Sequence, residues 1–359
     1  MMEKIKAAIV GLGRIASLLE EDSLREKPCT HAGAIDANPD CVLVAGCDID
    51  DERRKLFAEK WHVPAYNDAA EMLQRHKPQV LVIATYPDSH YRYCRLAAET
   101  AVPVVICEKP LADNIREAKK IADLARPAII TNHERRYSQD YIKAKAILDQ
   151  KELGALLSVR ATLCMGKNKR LLDVFWHDGT HLVDAIMFLT GKILKHRRCW
   201  GARLTSRMGT SWLEGELRGE KPRKLIENKQ DRRTPAPIPV LIEIGANRDH
   251  CDPAPIPVLI EIGANRDHLV FEMEFSCEKG RLRIGNGIFE VWESLPSPYA
   301  EKFRSLKKIE ETFEGPTGYF ANMVKDALAC ANDPQRLPCS SAADGLRVIK
   351  YLHSVKAWR

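Results

Sequence analysis

The chain has no C-x-x-C pair among its 11 cysteines, no apolar run at its start long enough for a signal-peptide core or a membrane span, and no large overall excess of one charge, its formal net charge being +6. Each absence excludes something. The cysteines are scattered from Cys29 to Cys339 in a chain large enough to fold without staples, which argues against a disulfide framework and for reduced, mostly buried thiols. Met1-Met2-Glu3-Lys4 leads straight into a short apolar strand, so a cytoplasmic protein with no membrane partner is expected. Lys and Arg number 55 against 49 Asp and Glu, and the densest basic stretch, Lys221–Arg233, also holds Glu227 and Asp231. That mixture reads as a solvated loop and gives no footprint for nucleic acid.

What is present is an ordinary globular composition, 45% hydrophobic and 29% charged, over 359 residues. A single core stops growing at roughly 250 to 300 residues, so two domains are expected. Compact apolar runs at Lys4–Val10, Val42–Cys47, Val80–Thr85 and Val102–Cys107 alternate with helix-period segments at His31–Ala37, Asp51–Trp61, Asp68–His76 and His90–Thr100. Strands in that alternation imply right-handed crossovers and a doubly wound parallel sheet. The rhythm changes near Pro127, which sets the expected boundary: residues 1–127 form one domain and residues 128–359, C-terminal helices included, an α+β domain. In the latter, helices are expected at Tyr141–Gln150, Gly179–Leu189, Thr317–Ala331 and Ser341–Trp358. Strands are expected at Leu156–Met165 and through Lys195–Trp292.

The first strand runs into Gly11-Leu12-Gly13-Arg14-Ile15-Ala16, a G-x-G-x-x-A turn in which glycines permit the tight bend and let a pyrophosphate approach the backbone at a helix N-terminus. The second strand ends at Asp48, whose carboxylate can accept from both hydroxyls of an adenosine ribose and would repel a 2′-phosphate. NAD is therefore favoured, while Arg53 and Arg54 leave NADP open. The separation from Ala16 to Asp48 exceeds the roughly 20 residues such units need. The excess lies in Ser17–Cys29, which is either a surface loop or a lid. At the carboxyl ends of the next strands stand Thr85, Pro87 and His90, then Glu108-Lys109-Pro110, where ligands bind in open α/β sheets.

The G-x-G-x-x-A turn, the strand-end Asp48, Thr85-x-Pro87-x-x-His90, Glu108-Lys109-Pro110 and the later Gly179-x-His181-x-x-Asp184 together resemble the Gfo/Idh/MocA oxidoreductases, in order and spacing over nearly the whole chain. The resemblance implies a Rossmann domain followed by an α+β domain with a large open, mainly antiparallel sheet that covers the active site on one side. It implies a cofactor held by Gly11, Gly13, Arg14, Ile15, Asp48, Thr85, Pro87, His90, Glu108 and Lys109. Lys109, whose bond to Pro110 is cis in relatives, would hold the reacting oxygen and stabilise an alkoxide. His181 would transfer the proton, as an imidazole near its ordinary pKa can. Many members carry Asp four residues before that histidine; here His177 stands there, with Asp178 beside it. Either His177 binds substrate or Asp178 supplies the carboxylate.

Arg136 and Tyr137, in Asn132-His133-Glu134-Arg135-Arg136-Tyr137, match a segment that enters the substrate pocket in relatives, and Lys167, Lys169 and Arg170 are candidates to line the same cleft. His177 and His181 lack a third ligand at a recognisable spacing, so no metal is expected. The activity implied is hydride transfer between a nicotinamide and a secondary alcohol or ketone of a sugar, polyol or related compound. The alternatives are an NAD-dependent glycoside hydrolase working by transient oxidation and a non-catalytic dinucleotide-binding regulator. A homodimer or homotetramer is expected through the sheet's free face, taken to be an apolar patch.

One feature lies outside that pattern. The block Pro235–His250 recurs without change at Pro253–His268. So perfect a repeat points to a recent duplication, and two copies are too few for a solenoid. One copy is expected to supply a strand of the sheet while the other is looped out or pairs at its edge.

Overall fold

Short runs of Val, Ile, Ala and Cys buried on both faces form the first sheet. The computed structural model describes residues 3–166, 169–203, 206–207, 209–219 and 255–356; Lys167, the basic stretch 221–233 and the first copy of the duplicated block lie outside them. Six strands, β1 (Ile5–Val10), β2 (Cys41–Cys47), β3 (Ala65–Tyr66), β4 (Val80–Ile83), β5 (Val104–Cys107) and β6 (Ala128–Thr131), pair in parallel in the order β3-β2-β1-β4-β5-β6. The crossovers are α1 (His31–Asp36), α2 (Asp51–Trp61), α3 (Ala69–His76), α4 (Pro87–Glu99) and α5 (Ile115–Ala122). Asp50, Asp68 and Asn114 cap α2, α3 and α5 by accepting from backbone N–H groups of the first turn, which fixes where these helices begin. The parallel sheet runs on through β6, beyond the boundary expected at residue 127.

The second sheet has eight strands: β7 (Leu156–Cys164), β8 (Ile193–Gly201), β9 (Gly209–Arg218), β10 (Ile256–Ala264), β11 (Val270–Cys277), β12 (Gly280–Gly285), β13 (Ile288–Pro296) and β14 (Arg304–Glu310). Their order is β14-β13-β12-β11-β7-β10-β9-β8, antiparallel except where β7 meets β10. The second copy of the duplicated block forms β10, an interior strand between β7 and β9. On one side of the sheet lie α6 (Gln139–Asp149), the single turn α7 (Leu171–Asp173) and α8 (Gly179–Thr190), which ends at Gly191 in the left-handed conformation.

The two C-terminal helices do not lie together on the second sheet. From α9 (Tyr319–Asn332), Phe320, Met323, Val324 and Ala327 pack with Ile5, Ile9, Val82 and Ile106 on one face of the parallel sheet. From the N-terminal side that face is covered by the six-residue α1 and by Phe57 of α2, and the far end of the chain supplies the rest. In α10 (Ala342–Lys356), Val348, Ile349 and Leu352 join the core shared by the other face and the second sheet. Among the described residues no helix is long and apolar enough to cross a membrane.

Over β11–β14 the free face of the eight-stranded sheet carries a lattice of ion pairs: Glu274 with Arg281 at 3.3 Å, Glu272 with Arg283 at 2.6 Å, Arg283 with Glu290 at 3.6 Å and Glu290 with Lys308 at 3.0 Å, with Val270, Ile288 and Trp292 half-buried among them. Arg281 and Lys308 also lie over the Trp292 ring. Strict alternation in β11 and β12 sends Phe271, Met273, Phe275, Leu282 and Ile284 inward and leaves charged residues outward.

Candidate active site

The site begins where β1 stops. Gly11 has φ +87°, and a Cβ there would fall 2.6 Å from Ala84 O, so no other residue fits the bend. Gly13 is open: the nearest atom to its Cβ would be Arg53 Nη1 at 3.8 Å. This bare stretch of backbone is the cradle a pyrophosphate needs. Arg14 is exposed and Ile15 half-buried in the following turn, where Ser17 N–H donates to Gly13 O at 3.1 Å. The helix then leaves its own register. His31 N–H donates to Ile15 O at 3.2 Å and Ala32 N–H to Ala16 O at 2.9 Å, bonds that Leu19 and Glu20 would make in an unbroken helix. The chain from Leu18 to Cys29 is therefore looped out of one continuous helix, which accounts for the long separation between turn and Asp48.

The loop is pinned. Glu26 accepts from Thr317 N–H (3.0 Å), Thr317 Oγ1 (2.8 Å) and Gly318 N–H (2.8 Å) at the start of α9; Glu20 accepts from Cys29 N–H and Thr30 Oγ1. Burial alone would raise the Glu26 carboxyl pKa, and these hydrogen bonds outweigh it and hold it below its usual range.

Asp48 is anchored beside the glycine turn. It accepts from Leu12 N–H at 2.7 Å and Asp50 N–H at 3.0 Å, with Arg53 Nη1 3.8 Å away. An NAD cofactor therefore fits: Gly11 and Gly13 leave room for its phosphates, and Asp48 presents a fixed carboxylate to a ribose.

At the end of β4, Thr85 is half-buried and accepts from Ser89 Oγ, while Pro87 opens α4. His90 departs from expectation. It is fully buried, with Nε2 3.1 Å from Thr85 O and Nδ1 3.2 Å from Leu111 O, so it ties the end of β4 to the segment after Pro110 and has no surface to offer a cofactor. Burial pulls its pKa below 6.5. Glu108 is likewise internal: it meets His31 Nε2 at 2.8 Å and Asn132 Nδ2 at 2.5 Å. Burial would raise its pKa, but the hydrogen bond and charge from His31, with Asn132 and Lys109, hold it low. Sequence reasoning missed His31 and Asn132; the available signal was a histidine heading an otherwise apolar helix.

Lys109 joins the two halves. Its bond to Pro110 is cis, and its Nζ donates to His177 O at 3.0 Å. That carbonyl lies in a π-helical stretch, Val174–Asp178, one turn before His181 on α8. Such bulges recur at functional sites. The His177 ring itself is exposed, beside a cavity of about 250 Å³ lined by Asp113, Arg170, Leu172, Asp173, Trp176 and His177. Asp178 does not take the expected carboxylate role toward His181, because it pairs with Lys169 at 2.9 Å. His181 Nδ1 is buried and finds no hydrogen-bond partner among the described residues. Burial, then the positive charges of Lys109, Arg135 and His133, hold its pKa well below 6.5.

Arg136 and Tyr137 are corrected too. Arg136 is buried in a bidentate pair with Asp184 (2.8 to 3.1 Å), with Asp344 at 3.3 Å and Cys339 O at 3.0 Å. Tyr137 is buried and donates to Asp326 at 3.0 Å. Their polar ends are taken up by these partners, and Arg136 lines a separate cavity of about 310 Å³ with Lys145, Asp344 and Arg347, not the one beside His177. Asp184, which as a helix-surface residue would be unremarkable, is fully buried and also meets His133 Nδ1 at 3.0 Å.

Residues 5–129 match the family model of an oxidoreductase family with an NAD-binding Rossmann fold, GFO_IDH_MocA. The match covers the parallel sheet, the part of the chain that carries the glycine turn, Asp48 and Lys109. The chain is 30% identical over 161 residues to inositol 2-dehydrogenase of Salmonella paratyphi B, covering 43% of this chain and 44% of that enzyme. To D-glucoside 3-dehydrogenase of Escherichia coli it is 26% identical over 206 residues, 52% of this chain and 54% of the other. The chain thus spans about half the length of the curated relatives it matches. Among solved structures, UDP-N-acetylglucosamine 3-dehydrogenase from Acidithiobacillus ferrooxidans superposes with TM-score 0.70 over 99% of this chain and 97% of that one, at 16% identity. An oxidoreductase from Agrobacterium radiobacter in complex with NAD+, L-tartaric acid and magnesium gives TM-score 0.66 over 99% and 96%, also at 16% identity. At such identities the likeness establishes the shared fold.

Proposed function

We propose that this chain is an NAD-dependent dehydrogenase acting on a secondary alcohol or ketone of a polyhydroxylated substrate. The observation that carries the reading is the bond from Lys109 Nζ to His177 O, which brings the lysine at the end of β5 against the first turn of α8 and His181. A bound nicotinamide would accept or return the hydride. The glycine turn and Asp48 would hold that cofactor, with Arg53 near enough to tolerate a 2′-phosphate. Lys109 exchanges a carbonyl for the substrate oxygen and stabilises the alkoxide as it forms. His181, neutral at pH 7, takes the hydroxyl proton on a ring nitrogen.

The departure at His177 shapes this step. With no carboxylate beside His181 and with cations around it, the imidazolium is disfavoured and the proton is passed on quickly. Relatives named inositol 2-dehydrogenase and D-glucoside 3-dehydrogenase support a polyol or sugar as substrate.

The test is a panel of sugars, polyols and their keto forms followed by absorbance of the reduced nicotinamide. Turnover should fall by roughly 10²-fold or more in Lys109→Ala. Cofactor binding without turnover on any member would instead favour a regulator, and glycoside cleavage without net NADH would favour the hydrolase.

A further inference from the structure

Arg135 and Arg136 are neighbours in one 3₁₀ turn, Glu134–Tyr137, and their charges are treated differently. Arg136 has two carboxylates and a carbonyl. Arg135 has no carboxylate within ion-pair distance among the described residues. Its guanidinium lies over the rings of Phe271 (4.5 Å) and Tyr141 (5.3 Å), and Nη2 donates to Asn286 Oδ1 at 2.7 Å. Its Nε is buried with no partner. Arg135 is half-buried; a guanidinium has five donors in a planar fork, and a donor shut away from water ordinarily has an acceptor. Glu134 and Asp140 act on it only from a distance.

The other side chains of the cleft do not make up the deficit. Asp178 is engaged by Lys169, Asp173 by Arg170, and Glu108 by His31 and Asn132, while Asp113 lines the cavity beside His177 and makes no ion pair with Arg135. Lys109 has only a carbonyl. His181, whose pKa is lowered first by burial, is lowered further by the positive charges of Lys109, Arg135 and His133. A neutral polyol would leave these positive charges unanswered.

On the reading of the site as a dehydrogenase, we propose that the substrate is anionic: a polyhydroxylated compound bearing a carboxylate or phosphate, whose oxygens are received by the Arg135 fork while its alcohol carbon faces Lys109 and His181. The aromatic bed of Phe271 and Tyr141 holds the guanidinium flat, which suits bidentate recognition of such a group.

The experiment measures binding, so that it does not depend on turnover. The full chain saturated with NADH is titrated calorimetrically with D-gluconate, D-glucitol 6-phosphate and D-glucitol, and with the same three forms in the galacto series. At least one anion should bind 10-fold or more tightly than its matched alcohol, with the advantage shrinking as salt rises. The gluconate and 6-phosphate arms tell carboxylate from phosphate. Arg135→Gln should abolish the advantage while NADH affinity stays within twofold, and Arg135→Lys should keep part of it. The proposal is overturned if no anion in the panel exceeds its alcohol, or if the advantage survives in Arg135→Gln. Oxidation of neutral alcohols in preference to acids would sink the anion while leaving the dehydrogenase intact. Failure to bind NADH would sink the dehydrogenase reading and this inference with it.

Discussion

His181 sits where burial and every nearby charge that acts on it push the same way. Burial disfavours the imidazolium, and Lys109, Arg135 and His133 add positive charge around it. The consequence is a base already deprotonated across the physiological range. In alcohol oxidation, kcat/KM should therefore stay level as pH is lowered through 6.5 and fall only well below it. A limb at or above pH 6.5 that disappears in His181→Gln would show an imidazole of ordinary basicity, contrary to this account. Lys109 and His181 were legible in the sequence because short motifs fix them beside a strand end and at a helix start. The residues that set their chemistry were not. His31 reaches Glu108, and Asp178 turns to Lys169, through contacts that no local pattern encodes. Arg136 and Tyr137 looked like ligands because their partners, Asp184 and Asp326, lie far along the chain.

At the scale of elements, the interrupted first helix gives the sharpest expectation. Because His31 and Ala32 bond to Ile15 and Ala16 as the next turn of the same helix, removing residues Leu18–Cys29 should join Ser17 to Thr30 in register. The shortened protein should fold and keep its NAD affinity within about twofold. It should lose a few degrees in Tm, since the exposed Glu26 cap on α9 contributes on the order of 0.5–1 kcal/mol. A tenfold loss of cofactor affinity would restore the lid that the pinned loop argues against. The duplicated block allows a second excision. The second copy is the interior strand β10, so deleting residues 235–252 leaves every described residue of the β9–β10 pair in place. Roughly halving the connection between those strands changes closure entropy by only about 0.6 kcal/mol. Soluble expression and an unchanged thermal midpoint, to within a degree or two, are expected; aggregation would mean the first copy is needed. The βα rhythm was readable because buried parallel strands are short and uniformly apolar. Four elements escaped: β3 has only two residues, α5 has a narrow apolar stripe of Ile115, Ala118, Ile121 and Ala122, α7 is a single turn, and β14 carries four charges. The place of α9 on the first sheet could not be read, since nothing local says which sheet a C-terminal helix will cover.

The two halves of the molecule are stitched by one buried charge cluster. His133 and Arg136 follow β6, Asp184 is on α8 and Asp344 starts α10, so one guanidinium between two carboxylates ties the parallel sheet's last strand to two helices of the second core. Burial would raise the Asp184 pKa, but Arg136 and His133 outweigh it and hold the carboxyl below its usual 3.8. A depressed carboxyl contributes stability that is present above the unfolded value and lost as pH falls through the folded one. His90 and His181, also depressed, add a contribution present above 6.5 that drains away as acidification charges the unfolded chain first. Thermal stability should therefore decline in two stages, gently below pH 6.5 and more steeply below about 4. Asp184→Asn takes one of two carboxylates from a buried guanidinium and leaves it Asp344 at 3.3 Å, a change that costs up to about 3 kcal/mol. Its Tm at neutral pH should drop by roughly 4 °C. The upper stage of the acid decline should persist in that variant, because the two histidines are untouched, while the lower stage flattens. Calorimetric melts of both proteins across the acid range decide it: a variant that melts with the parent at neutral pH would mean the halves are held by their apolar core alone.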